Sequence, residues 1–226
     1  MIKNKKIFIA CDTTNINKVK KIIKYSNTKE LKVGYKFGLE FLNSKNGRVF
    51  ISKLKNKIIF IDLKLHDIPN TIKSAIKALK DLKPNYLTVH INSGLEAIKI
   101  AKKVSGKCKI VGVTTLTSLN NKNLKELGYN KSLKNLVALQ AKLAKKANLD
   151  ALVCSAHEVK FVRKIFKKEI ITPGIRLNSN SEDQKRIATP KDALLNKKSD
   201  WIVIGRSITS GNIKKNIKNL IIHLNS

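Results

Sequence analysis

The sequence has 226 residues, of which 42% are hydrophobic, and its 47 basic and 15 acidic side chains give a formal net charge of +32. This apolar content excludes wholesale disorder and fibrous structure, and no apolar run approaches the roughly 20 residues that cross a bilayer. The length suits a single domain, which we expect to cover residues 1–226.

The excess of positive charge raises the hypothesis of a nucleic-acid-binding protein. However, only five of the 47 basic residues are arginines, and lysine, isoleucine and asparagine are abundant together, as AT-rich coding favours. The lysines are spread along the whole chain, and 5% aromatic residues offer few rings on which bases could stack. We therefore interpret the charge as compositional bias on a solvated surface, and expect no nucleic-acid partner and no membrane partner.

The cysteines and the start of the chain indicate a cellular compartment. Cys11, Cys108 and Cys154 are odd in number and have no metal-ligand spacing, so we expect free thiols in a reducing environment. The apolar stretch 7–11 is too short for the core of a signal peptide and ends at Asp12. It predicts a first β-strand and a cytoplasmic protein.

Eight short, apolar, β-branched runs predict the strands of a parallel sheet. In chain order they are 6–11, 31–33, 57–64, 86–91, 109–114, 151–154, 169–172 and 201–204. Apolar residues at helical spacing predict helices between strands, most clearly at 72–82, 133–147 and 213–224. Eight alternating units with no linker predict a single (β/α)8 TIM barrel. The alternative, a doubly wound sheet, usually has a glycine-rich turn after its first strand, and residues 11–14 are not one.

Strand 3 carries the most informative charges. Asp62 and Lys64 share one face, because residues two apart on a strand point the same way. A lysine that points into a barrel mouth needs a partner, and Asp62 supplies it. Asp67 follows in the next loop and adds a second carboxylate. The alternative is an ordinary ion pair at a strand end.

Two of the five arginines follow neighbouring strands. Arg176 comes after strand 7 and Arg206 directly after Gly205 at the end of strand 8, where barrels often bind phosphate. The polar segment 177–186 has no periodicity and predicts a loop that closes over an anionic ligand, with a plain surface loop as the alternative.

A metal site at the strand ends is not expected. His90 ends strand 4, where it could join Asp62, but a catalytic metal needs about three protein ligands. Lys64 beside Asp62 would also repel a cation. His90 is therefore interpreted as a supporting residue.

Three segments together carry a family resemblance. Asp-Leu-Lys-Leu-His-Asp-Ile-Pro-Asn-Thr at 62–71, Thr-Pro-Gly-Ile-Arg at 172–176 and Ile-Gly-Arg-Ser at 204–207 closely resemble orotidine 5′-phosphate decarboxylases of the bacterial type. The similarity extends over essentially the whole chain. The Asp-x-Lys-x-x-Asp core is shared with 3-keto-gulonate-6-phosphate decarboxylases, a family that uses Mg²⁺. The Ile-Pro-Asn-Thr extension and the Thr-Pro-Gly-Ile-Arg segment are more specific.

The resemblance implies decarboxylation of orotidine 5′-phosphate to UMP and CO₂, the last step of de novo pyrimidine synthesis, with no metal or organic cofactor. It implies that Lys64 donates a proton to C6 of the pyrimidine, with Asp62 beside the departing carboxylate. It also implies a homodimer in which Asp67 and Thr71 enter the neighbouring subunit's site. The other implied contacts are Asp12 and Lys32 with the ribose and the charge network, Thr117 (or Ser118) with the base, Gln184, Gly205 and Arg206 with the phosphate, and Arg176 with the lid loop.

Overall fold

Eight parallel strands pair in sequence order and close into a barrel in the computed structural model, which describes residues 5–177 and 188–226. The strands are β1 (Lys5–Ala10), β2 (Leu31–Gly38), β3 (Ile58–Leu65), β4 (Tyr86–His90), β5 (Lys109–Val113), β6 (Ala151–Val153), β7 (Glu169–Ile175) and β8 (Trp201–Ile204). Strand β1 pairs with both β2 and β8, which completes the ring. The predicted TIM barrel is confirmed.

Helices follow the strands around the outside of the barrel. They are α1 (Ile16–Tyr25), α2 (Leu39–Leu42), α3 (Gly47–Ser52), α4 (Pro69–Ala78), α5 (Leu95–Val104), α6 (Asn121–Glu126), α7 (Leu133–Lys146), α8 (Val159–Ile165), α9 (Arg206–Thr209) and α10 (Ile213–Asn225). The three helices predicted from periodicity are present, although the first begins at Pro69 and its last part is a separate 3₁₀ turn at Lys80–Leu82. No helix in the described ranges has the length and apolar composition of a membrane span.

Helix α4 illustrates how the sequence sets these elements. Pro69 occupies its first turn, where the missing N–H costs nothing. Ile72 and Ile76, one turn apart, are buried against the barrel. The helix therefore begins after a short loop, residues 66–68, that contains Asp67.

Aromatic rings fill the lower part of the barrel interior. Phe8 stacks on Trp201 with 4.0 Å between ring centroids, and Phe60 lies 4.8 Å from Phe8. Gly34 makes room for them, because a Cβ there would lie 2.6 Å from the Phe8 ring. The packed rings close the barrel below its C-terminal mouth.

A partly buried carboxylate marks the opposite, N-terminal end of the barrel. Glu169 accepts hydrogen bonds from Tyr86 Oη at 2.9 Å and from Lys109 Nζ at 2.8 Å. Lys6 Nζ lies 3.3 Å from its other oxygen, which also accepts the Trp201 indole N–H at 3.4 Å. This cluster joins five strands, β1, β4, β5, β7 and β8, at the end of the barrel away from the strand ends that carry Asp62 and Lys64.

Candidate active site

A cavity of about 400 Å³ opens among the C-terminal strand ends, the end of the barrel where the sequence predicted a site. Its charged lining residues are Asp12, Lys36, Asp62, Lys64, Arg176 and Arg206. Phe60, Val113, Val153 and Val203 contribute apolar surface, so the cavity offers charge at its edges and a non-polar floor.

Four charges of alternating sign run along one side of the cavity. Lys36 Nζ lies 3.0 Å from Asp12 Oδ1 and 3.5 Å from Asp62 Oδ2. Lys64 Nζ lies 3.0 Å from Asp62 Oδ1. Asp62 and Lys64 both line the cavity, which confirms that they share the inner face of β3. We call Asp12, Lys36, Asp62 and Lys64 the charged array.

The two central members of the charged array are buried and hold each other in the ionised state. Burial raises the pKa of Asp62, but Lys36 and then Lys64 lower it by more, so its pKa lies below the ordinary value. Burial lowers the pKa of Lys36, but Asp62 and Asp12 more than offset this and raise it. Asp62 is therefore a carboxylate and Lys36 an ammonium at neutral pH.

The lysine that strand 2 contributes to the cavity is Lys36, not the predicted Lys32. Lys32 lies at the start of β2, opposite Lys6, where it is exposed and far along the strand from the cavity. Lys36, four residues later, joins the charged array. The prediction ended strand 2 at residue 33, but the strand continues to Gly38, so the residue at its C-terminal end was assigned too early.

Asp67 and Thr71 do not line the cavity of their own chain. Asp67 lies in the loop between β3 and α4, and its carboxylate accepts the N–H of Ile68 at 2.7 Å. Thr71 lies in the first turn of α4, and both side chains are exposed. Ile68, between them, is an exposed large hydrophobic residue at 65%.

Two arginines line the cavity on the side across the barrel from β3. Arg176 follows β7, and Arg206 begins the short helix α9 after Gly205. The chain leaves β7 through Leu177, whose N–H donates to Ser207 Oγ at 3.3 Å, so the ends of β7 and β8 are joined. The predicted phosphate contact Gln184 lies outside the described residues.

The segment after β5 closes the third side of the cavity. Thr115, Leu116 and Thr117 line it, whereas Ser118 is exposed outside the lining. The buried Gln140 of α7 accepts both the N–H of Thr115 at 2.9 Å and its hydroxyl at 3.1 Å. Of the two residues left open for the base contact, the structure therefore brings Thr117 to the cavity.

His90 is a neutral side chain beside the site. Burial, then His66 and Lys64, lower its pKa to about 4. Its Nδ1 accepts the N–H of Asn92 at 3.3 Å, and its ring stacks on His66 at 5.1 Å. Across the described residues, no three His, Cys, Asp or Glu side chains are grouped as a metal site would require.

Three residues that build the charged array or support the cavity wall were not predicted from the sequence. Lys36 interrupts an apolar run and was not recognised as part of its strand. Gln140 is a polar residue on the buried face of α7, a signal that was visible but was not used. Thr88 is fully buried in β4 and bonds to both Asp62 and Lys64, but a threonine inside a strand carries no distinguishing pattern.

A closed barrel with the charged array on one side of its mouth and two arginines on the other is the arrangement of a (β/α)8-barrel enzyme whose cavity suits an anionic ligand. Comparison with known proteins identifies the family. Residues 5–218 match the model of the orotidine 5′-phosphate decarboxylase / HUMPS family. The orotidine 5′-phosphate decarboxylase of the Wolbachia strain of Culex pipiens is 46% identical over 210 residues, which are 90% of this chain and 91% of that protein. The corresponding protein of the Brugia malayi Wolbachia is 44% identical over 96% of this chain and 97% of that protein.

Solved structures agree with these sequence matches. A crystal structure of orotidine 5′-phosphate decarboxylase from Lactobacillus acidophilus aligns with a TM-score of 0.82 and 33% identity, covering 99% of this chain and 100% of that chain. The Methanocaldococcus jannaschii enzyme, solved with the inhibitor BMP, shares the fold with a TM-score of 0.77 at 23% identity, over 100% of both chains. The chain belongs to the orotidine 5′-phosphate decarboxylase / HUMPS family, as its sequence motifs predicted. It is a carboxy-lyase of pyrimidine biosynthesis.

Proposed function

We propose that this chain decarboxylates orotidine 5′-phosphate to UMP and CO₂, with Lys64 as the proton donor. The observation that carries the proposal is the position of Lys64, which ends the charged array inside the cavity and lies 3.0 Å from the buried carboxylate of Asp62. An ammonium fixed in this way can act on a single atom of a bound ring.

The chemistry needs a fixed positive charge near C6. The bond from C6 to the carboxylate carbon breaks, CO₂ leaves, and the electron pair stays on C6. An ammonium beside C6 stabilises this charge as it develops in the transition state. Lys64 then gives a proton to C6, which completes UMP, and its neutral amine regains a proton from solvent.

Asp62 and Lys36 prepare Lys64 for this step. Asp62 binds Lys64 directly, and we assign it the place beside the departing carboxylate, where like charges repel until CO₂ leaves. Lys36 binds Asp62 and Asp12, so it fixes the carboxylate that orients Lys64. We assign Asp12 and Lys36 to the ribose and the charge network, with Lys36 in place of Lys32.

The other side of the cavity suits the phosphate and the base. We assign the phosphate to Arg206 and the backbone of Gly205, with Gln184 as a further contact, because a guanidinium binds phosphate through two parallel hydrogen bonds. Arg176 is assigned to anchor the lid loop, and Thr117 to contact the base. Binding of the phosphate, remote from C6, then contributes to ordering the ring.

We further propose a homodimer whose sites are completed by Asp67 and Thr71 of the neighbouring subunit. Both side chains are exposed and lie outside their own cavity, and the apolar Ile68 between them is exposed at 65%. A carboxylate supplied by the partner near Lys64 would attract its ammonium and help to hold it in place.

Two further proposals concern the domain organisation of the chain and its cellular compartment. We propose that residues 1–226 act as one domain in the cytoplasm. The free state of Cys11, Cys108 and Cys154 supports a reducing compartment.

The test is turnover of orotidine 5′-phosphate, followed by its change in absorbance, for the wild type and Lys64→Ala. We expect the variant to fold and bind UMP but to lose nearly all turnover. Lys99→Ala, on an exposed position of α5, is the matched loss of one lysine and should leave turnover unchanged. Turnover that EDTA abolishes would instead favour the Mg²⁺-dependent 3-keto-gulonate-6-phosphate branch, and turnover retained by Lys64→Ala would refute its role as proton donor.

A further inference from the structure

Strands β3 and β4 leave regular register beside the charged array. Ile61 pairs with Leu87 and Leu65 pairs with Val89, so the three residues 62–64 face only Thr88 on β4. A bulge of this kind leaves backbone groups without partners in the ladder of hydrogen bonds. The positioning of Lys64 therefore cannot come from the sheet alone.

Lys64 is also held in an uncommon backbone conformation. Its φ is 49°, in the left-handed region that residues with a Cβ rarely adopt. Such a conformation persists only when neighbouring groups fix it. Helical or extended backbone geometry at this position would move the Cβ of Lys64, and with it the ammonium.

The hydroxyl of Thr88 makes the two bonds that fix this geometry. It accepts the backbone N–H of Lys64 at 2.7 Å and donates to Asp62 Oδ1 at 3.1 Å. A hydroxyl has one donor and two acceptor sites, so one Thr88 side chain satisfies both partners. Thr88 is fully buried, which keeps water from replacing these bonds.

We propose that Thr88 is a positioning residue that sets the place of the Lys64 ammonium relative to Asp62 and to the reacting carbon. The inference rests on the proposed role of Lys64 as proton donor. Thr88 does not itself line the cavity, so its loss should leave the contacts that bind the nucleotide intact. Misplacing the ammonium should instead lower the rate of the chemical step.

Two substitutions distinguish the effect of the Thr88 hydroxyl from the effect of the packing of its side chain. Thr88→Val keeps the shape but removes the hydroxyl, and we expect kcat to fall on the order of tenfold or more, with KM and UMP affinity little changed. Thr88→Ser keeps the hydroxyl but removes a methyl group, and we expect kcat near that of the wild type. A role in packing alone predicts the reverse order, because serine leaves a void and valine does not.

A control distinguishes lost positioning from lost stability. Ser26→Ala removes another buried hydroxyl, which bonds to Tyr35 Oη at 3.1 Å in the outer layer of the barrel. It should lower Tm without lowering kcat. If Thr88→Val does not fold, Thr88→Cys takes its place with the same expected loss, because a thiol is a weak donor and a weak acceptor.

The outcomes are separable. A folded Thr88→Val or Thr88→Cys with wild-type kcat overturns the inference, as does a Thr88→Ser variant that loses as much as Thr88→Val. A wild-type protein that does not turn over orotidine 5′-phosphate contradicts the proposed function instead. Wild-type turnover retained in Lys64→Ala contradicts the identity of the proton donor and overturns this inference with it, but leaves the proposed decarboxylation standing.

Discussion

Replacing Lys36 by alanine tests whether the charged array works as a unit. Its side chain is 11% exposed and that of Asp62 is 12% exposed, so the substitution leaves a largely buried carboxylate without its main partner. Removing one partner of a buried ion pair costs about 3–5 kcal/mol. Asp62 keeps Lys64 and Thr88, and Asp12 is half exposed, so we expect the lower end, about 3 kcal/mol. For a protein of this size that corresponds to a fall in Tm of roughly 6–12 °C.

The stability lost in Lys36→Ala should depend on pH, in a direction set by the pKa of Asp62. The folded protein holds the pKa of this carboxyl below its ordinary value of 3.8, so the ionised group stabilises the fold above that pH, and the stabilisation is lost as the pH falls through the lowered pKa. Without Lys36 the pKa of Asp62 rises, because the largest influence that lowers it is gone. The difference in Tm between wild type and Lys36→Ala should therefore be largest at neutral pH and narrow in acid.

The assay is thermal unfolding from neutral to acid pH together with kcat/KM, with Lys32→Ala as the matched control. Lys32 lies on the same strand but is exposed, so its loss should change stability by no more than about 0.5 kcal/mol and leave kcat/KM unchanged. We expect Lys36→Ala to lose most turnover, because Asp62 no longer holds Lys64 in place. Equal behaviour of the two variants would refute the central position of Lys36.

Three further predictions test other parts of the molecule. Arg206→Ala should lower kcat/KM by an amount equivalent to about 2–5 kcal/mol. The control Arg48→Ala, at a surface ion pair, should leave kcat/KM unchanged. An unchanged kcat/KM in Arg206→Ala would remove Arg206 from the site. Mixing inactive Asp67→Ala and Lys64→Ala proteins should regenerate activity in exchanged dimers, and mixed dimers as inactive as their parents would contradict sharing across the interface. Glu169→Gln should lower the free energy of unfolding by about 1–3 kcal/mol while kcat is unchanged, and a loss of kcat as large as that of Lys36→Ala would contradict a purely structural role for the N-terminal cluster.

The elements that could be predicted from the sequence are those whose pattern is local. Strand β8 is four apolar residues between turns, and its predicted and observed bounds agree. The period of a strand predicts that Asp62 and Lys64 point the same way. Both side chains do line the cavity, although Lys64 reaches it from a left-handed backbone conformation. Strand β2 was predicted too short because Gly34 and Lys36 interrupt its apolar run. Both residues serve the barrel interior, where Gly34 admits the Phe8 ring and Lys36 reaches the charged array.

The missed parts of the site depend on neighbours that are distant in sequence. The bulge in β3 exists only relative to the register of β4, which no pattern within either strand records. Thr88 bonds to Lys64 across 24 residues, and Gln140 bonds to Thr115 across 25. Threonine is common in strands and glutamine in helices whatever they contact. The contacts of Thr88 and Gln140 are therefore visible only in the folded chain.

The two ends of the barrel explain why a buried ion cluster is not by itself an active site. Glu169 at the N-terminal end and Asp62 at the C-terminal end are both carboxylates between two lysines, and the pKa of each lies below its ordinary value although burial opposes this. At the lower end, Tyr86 and Trp201 bond to the carboxylate and pack beside it, so we expect these charges to stabilise the fold. At the upper end, the small side chain of Ala10 and the absence of one at Gly205 leave open the cavity of about 400 Å³ next to the lysine. The same pairing of charges thus becomes available to a substrate only where the barrel leaves room beside it.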